Sequence, residues 1–146
     1  MNKKIFVIHG HDSEALEDLH AFLESQKTTP IIIQTKTSMG SSTIIEKFEK
    51  YAKDAVFAIA LLTPDDKQAE ELEGNSKFRA RQNVILEMGW FMGKLGRERI
   101  ILLHKGSVEL PSDIIGISYM KFENTISEIH EKIIFELREQ GLIVDK

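Results

Sequence analysis

Three sets of residues have the types and spacing to do chemistry. Glu46 closes the run Thr43-Ile44-Ile45-Glu46, His9-Gly10-His11-Asp12 places two imidazoles and a carboxylate together, and Asn83 and Glu87 stand four residues apart behind Arg79 and Arg81. Thr43 to Glu46 has capping-box spacing, in which the glutamate bonds back to the threonine amide. The same carboxylate falls off the helix face marked by Ile44, Phe48 and Ala52, which leaves it available to a ligand. His9 and His11 alternate as on a strand and would share a face, but no third ligand accompanies them, so no metal is expected. Asp12 is first a helix N-cap and second a ligand contact. Gly10 suits a close backbone approach or a turn with positive φ. Arg79 and Arg81 match phosphate oxygens in geometry, and equally match the acidic run Glu70, Glu71 and Glu73.

The elements that must position these groups follow from length and pattern. With 146 residues, 42% hydrophobic and 29% charged, the chain suits one compact domain over 1–146. It has no cysteine, which removes disulfides, thiolate nucleophiles and cysteine-based zinc sites and fits a cytoplasmic setting. No apolar run approaches the roughly 20 residues of a membrane helix, and the apolar stretch behind Lys3-Lys4 is too short for a secretory signal. The net charge of −4 offers no basic field for nucleic acid, although Lys94, Arg97, Arg99 and Lys105 suggest a small local cluster.

Apolar runs at residues 4–9, 31–33, 56–62, 99–103 and 117–122 read as strands. They alternate with helical periodicity at 12–26, 44–53, 81–95 and 125–140. Pro30 opens the second strand, and Gly96 and Gly141 close helices. Strand, helix, strand in alternation predicts an α/β fold, a flavodoxin-like doubly wound five-stranded parallel sheet in three layers. Ligands of such sheets bind outside the carboxyl ends of the strands. That places residues 9–12, 35–42 and 63–79 at the cleft, with Gly40 and Ser41 among them. On the helix over 81–95, Asn83, Glu87, Trp90 and Lys94 form a stripe apart from Val84, Met88, Phe91 and Leu95. An aromatic on such a polar stripe favours an interface or a ligand platform. Gly89, Gly93 and Gly96 read as close packing of helix on sheet.

In order along nearly the whole chain, Ile5-Phe6-Val7-Ile8-His9-Gly10-His11-Asp12, Thr43-Ile44-Ile45-Glu46-Lys47-Phe48-Glu49, Leu61-Leu62-Thr63-Pro64-Asp65-Asp66, Arg79-Ala80-Arg81-Gln82-Asn83-Val84-Ile85-Leu86-Glu87-Met88-Gly89 and Leu110-Pro111-Ser112-Asp113-Ile114 resemble the TIR-like nucleotide-binding domains of bacterial cyclic-nucleotide defence systems. The resemblance implies an antiphage effector that cleaves the nicotinamide–ribose bond of NAD+, with Glu46 as catalytic carboxylate. It implies a substrate site formed by His9, Gly10, His11, Asp12, Gly40, Ser41, Arg79, Arg81, Asn83 and Glu87. NAD+ is then a substrate, and no separate cofactor is expected. Such domains self-associate into oligomers or filaments under a fused or separate cyclic-nucleotide sensor, and this chain shows no sensor module. The stretch Met39-Gly40-Ser41-Ser42 departs from the glycine- and arginine-rich approach expected before the Thr-Ile-Ile-Glu motif.

Two other readings remain at this level. A TIR-like scaffold that signals only by self-association has the same core pattern. A nucleoside deoxyribosyltransferase would also use a glutamate, whereas a phosphoacceptor receiver would end its third strand on an aspartate, where this chain has Thr63-Pro64.

Overall fold

The computed structural model describes residues 2–10, 12–33, 44–64, 78–79, 82–106, 108–109 and 116–143. In chain order the elements are β1 (Lys4–His9), α1 (Ser13–Ser25), β2 (Thr29–Ile31), α2 (Ile44–Ala52), β3 (Phe57–Leu62), β4 (Phe78–Arg79), α3 (Gln82–Leu95), β5 (Ile100–Lys105), β6 (Val108–Glu109), β7 (Ser118–Phe122) and α4 (His130–Glu139). Short 3-10 turns at Arg97–Arg99 and Ile126–Ile129 lead into β5 and α4. Five strands form one parallel sheet in the order β2-β1-β3-β5-β7. The chain winds outward from β1 to one side and then to the other, which is the expected doubly wound topology.

The continuous apolar runs follow from burial on both faces. Ile5, Val7, Phe57, Ile59, Leu61, Ile101, Leu103, Met120 and Phe122 pack under α1 and α4. Phe6, Ile8, Ala58, Ala60, Leu62, Ile100 and Leu102 pack under α2 and α3. On that second face Phe6 pairs with Ala58 and Ile8 with Ala60. The small alanines leave room for Phe48 and Phe91, whose rings close on Phe6 at 5.2 and 5.0 Å. Edge-to-face and tilted contacts at this spacing add to area burial.

Helix α1 shows how sequence sets an element. Asp12 caps it, with Oδ1 accepting from the Ala15 amide at 3.0 Å, and Ala15, Leu16, Leu19, Phe22 and Leu23 form its buried stripe. At its other end Lys27 turns left-handed with φ 63°, and Thr28 Oγ1 donates to the Leu23 carbonyl at 2.8 Å. Gly96 and Gly141 also take positive φ, as expected of residues that close helices.

Three sequence expectations shift. The second strand is Thr29–Ile31, two residues earlier than its isoleucine run, with Pro30 inside it opposite Ile5. Pro30 is tolerated because β2 is an edge strand and needs no outward amide. A Cβ built on Gly89, Gly93 or Gly96 meets nothing within 4 Å, so these glycines face open space and do not mediate close helix–sheet packing. A second, two-stranded parallel pairing, Phe78 with Val108 and Arg79 with Glu109, has no counterpart in the pattern reading.

Candidate active site

The carboxyl ends of β1, β2, β3 and β5 converge on one rim of the sheet, and the described part of the candidate site is built there. Lys53 and Ala55 close the end of α2, and the Val56 amide bonds to the Lys4 carbonyl at the opposite rim. The start of α2, which carries Glu46, therefore belongs to the carboxyl rim. Helix α3 runs the same way, because its last turn leads through Gly96 into β5.

Helices α2 and α3 lie side by side. Phe48 meets Trp90 and Phe91 edge-on at 5.1 and 5.6 Å. One turn and more further on, Lys94 Nζ bonds the Ala52 carbonyl at 3.2 Å and also the Lys53 carbonyl. A lysine there satisfies carbonyls left open at the helix end and complements the dipole. Glu46 is exposed in the first turn of α2, and Glu87 is half-buried. Trp90, expected on an open polar stripe, is instead half-buried between Phe48 and Phe91, with Lys94 Nζ 5.1 Å from its ring centre. Its surface is spent on joining the helices.

At the end of β1, His9 is held by main chain on both sides. Its Nδ1 lies 2.9 Å from the Gly10 carbonyl and its Nε2 3.1 Å from the Ile33 carbonyl beyond β2. The ring thus ties the loop after β1 to the segment after β2. Asp12 has two partners as well. Oδ1 caps α1, and Oδ2 lies 3.2 Å from Lys105 Nζ at the end of β5. The cap was legible in the sequence, whereas the ion pair was not, because it joins residues far apart in the chain. Lys105 is also separated from the cations with which it was grouped. Arg99 Nη1 bonds the Val56 carbonyl at 3.1 Å and Lys94 the end of α2, both at the opposite rim, so the four basic residues form no single cluster.

Of the remaining expected residues, His11, Gly40, Ser41 and Arg81 lie outside the described residues. The backbone of Arg79 pairs with Glu109 in the small parallel addition that follows β3 and β5, and Asn83 lies in the first turn of α3. Strand β3 ends at Leu62, and buried Thr63 follows, so no aspartate occupies the position a receiver would need. His104, beside Lys105 on β5, was not singled out by pattern. It is buried, neither ring nitrogen has a hydrogen-bond partner among the described residues, and its ring tilts against Tyr119 at 5.9 Å. Burial, followed by the charge of Lys121, lowers its pKa below the ordinary value, and Glu123 opposes this. Among the described residues no group of three potential metal ligands forms, and no helix is long and apolar enough to cross a membrane.

The doubly wound five-stranded parallel sheet defines a flavodoxin-like α/β class. Residues 4–124 match the family described as CAP12/Pycsar effector protein, TIR domain, and the chain belongs to that family. It is 40% identical over 146 residues to the uncharacterized protein YuaY of Escherichia coli K12, covering all of this chain and 48% of that protein. It is 34% identical over 120 residues to the Pycsar effector protein PaPycTIR of Pseudomonas aeruginosa, covering 79% of this chain and 38% of the effector. The chain thus spans about half the length of its Escherichia coli relative. The CMP N-glycosidase BcmB of Clostridium botulinum shares the fold with a TM-score of 0.61 at 18% identity, over 91% of this chain and 99% of that one.

Proposed function

We propose that the chain is an NAD+ glycohydrolase TIR domain of an antiphage effector, active when assembled under a cyclic-nucleotide sensor and working in the cytoplasm. The observation that carries the reading is the place of Glu46. It sits in the first turn of α2 at the carboxyl rim, in a chain whose family match runs from β1 past β7.

The chemistry asks little of the protein. Nicotinamide in NAD+ is a pyridinium, so when the bond from ribose C1′ to nitrogen breaks, the electron pair neutralises the ring. Nicotinamide then leaves without a general acid. The ribose becomes oxocarbenium-like, and an ionised carboxylate stabilises that charge. Water then adds to C1′ and loses a proton, giving ADP-ribose; capture by an internal nucleophile gives a cyclic product instead. In this reading Arg79 and Arg81 face the pyrophosphate, Asn83 and Glu87 support the ribose side, and residues 9–12 with Gly40 and Ser41 border the substrate. NAD+ is consumed as substrate with no further cofactor.

The test is incubation of concentrated protein, with and without a crowding agent, followed by chromatography of the products. Wild-type protein releases nicotinamide with ADP-ribose or its cyclic form, and Glu46→Gln does not. Intact NAD+ in assembled wild-type samples would favour a non-catalytic scaffold. Base exchange on deoxynucleosides in its place would mark a deoxyribosyltransferase.

A further inference from the structure

The two edges of the main sheet differ. Strand β2 has three residues and includes Pro30, which has no amide to donate. Strand β7 has five residues and no proline, and it is the last strand in the sheet order, so its outer edge is unpaired among the described residues. The Gly106 amide donates to the Phe122 carbonyl at 2.9 Å, so the backbone groups of Phe122 face β5. By alternation those of Met120 and Ser118 do too, and the amides and carbonyls of Tyr119 and Lys121 point outward.

We propose that this edge joins a second copy of the chain, with β7 pairing antiparallel to β7 about a two-fold axis at Met120. In that register Tyr119 of each copy lies opposite Lys121 of the other. Both are hydrogen-bonded pairs, and Met120 meets Met120 in the non-bonded pair between them. Every outward amide and carbonyl of Tyr119 and Lys121 is then satisfied, with no residue left over.

The side chains favour this occupant. Tyr119 is 60% exposed and would cover the stem of the opposing Lys121, an aromatic-to-cation pairing that suits cross-strand neighbours. Lysine on an edge strand usually discourages pairing. Here the register sets it against an aromatic ring, and Glu123, 3.3 Å from Lys121 Nζ, already offsets its charge. Behind the edge, a cavity of about 410 Å³ lies between β7 and α4, lined in part by Tyr119, Lys132 and Phe135. Phe135 is 56% exposed there. Lys132 stands between Glu131 and Glu136, so the patch offers both a cation and carboxylates to its own copy, as an isologous contact requires. The dimer stands on these contacts and does not rest on the proposed function.

Sedimentation equilibrium over a concentration series tests it, with amide hydrogen exchange on the same samples. Wild-type chain dimerises, and the Tyr119 and Lys121 amides are protected in the dimer. Lys121→Pro removes an outward amide without touching the bonds to β5, and the variant sediments as a folded monomer. Tyr119→Lys sets two ammonium groups opposite each other and also gives monomer. The double variant Tyr119→Lys, Lys121→Glu restores an attractive pair and the dimer. Wild-type protein that stays monomeric at its highest soluble concentration, or a dimer that survives Lys121→Pro with both amides exchanging freely, overturns the proposal. A dimer that leaves NAD+ intact keeps this interface and removes the proposed activity.

Discussion

Lys105 Nζ lies 3.2 Å from Asp12 Oδ2, reaching from the end of β5 past β3 to the turn that ends β1. Because Asp12 Oδ1 caps α1, one carboxylate does two separable jobs. Asparagine caps nearly as well as aspartate, so Asp12→Asn should lose only the ion pair, about 0.5 to 1 kcal/mol for a partly exposed contact. Asp12→Ala should lose about 1 kcal/mol more with the cap. Urea unfolding of both variants and of Lys105→Met measures the split. Equal losses for asparagine and alanine would assign the whole effect to the pair.

His9 bridges the Gly10 and Ile33 carbonyls, joining two loops that border the candidate cleft. Which ring nitrogen donates depends on the tautomer. His9→Gln retains a donor and should be tolerated better than His9→Leu, which leaves partly buried carbonyls without one. The expected loss for leucine is about 1 to 2 kcal/mol, read by thermal unfolding. Hydrogen exchange should quicken first in the segments after β1 and β2.

Glu46 is exposed, so its replacement should separate activity from stability. On the proposed function, Glu46→Gln keeps side-chain size and helix propensity but removes the charge that stabilises the ribosyl cation. The expected fall in kcat is at least about 100-fold, the scale seen when one such electrostatic contact is lost. The melting temperature should hardly move. A parallel fall in both quantities would mark Glu46 as a structural cap.

The layered core was legible because both faces of every central strand are covered, which turns alternation into continuous runs such as Ile5 to Ile8 and Phe57 to Leu62. The same property hid the register of β2, since three consecutive isoleucines do not say which of them pair, and Pro30 is admitted only because the strand is an edge. Asp12 was readable as a cap because capping is local. Its bond to Lys105, the grip of Lys94 on α2 and the joining of β4 to β6 all link residues distant in sequence. Trp90 misled for a related reason. A helical wheel shows one helix against the sheet, and it omits the neighbouring helix that takes up the flank.

Acid should weaken the fold through His104. Its ring is buried with both nitrogens unpartnered among the described residues, and burial, followed by Lys121, lowers its pKa from the ordinary 6.5, against the smaller pull of Glu123. A base with a lowered folded pKa binds fewer protons in the native than in the unfolded chain. Its contribution is therefore intact above about pH 6.5 and is lost as pH falls toward the native value. His104→Leu should flatten that decline. It should also raise stability at neutral pH by about 1 kcal/mol, since it removes an unsatisfied polar ring from a buried site. Some slope should survive in the variant, because His130, stacked on Phe22 at 3.8 Å, is also lowered by burial, against Asp18 and Glu131. Unfolding midpoints of wild type and His104→Leu between pH 7.5 and pH 5 check this, the window spanning the ordinary histidine pKa of about 6.5. Parallel curves for the two proteins would show that His104 does not govern the acid response.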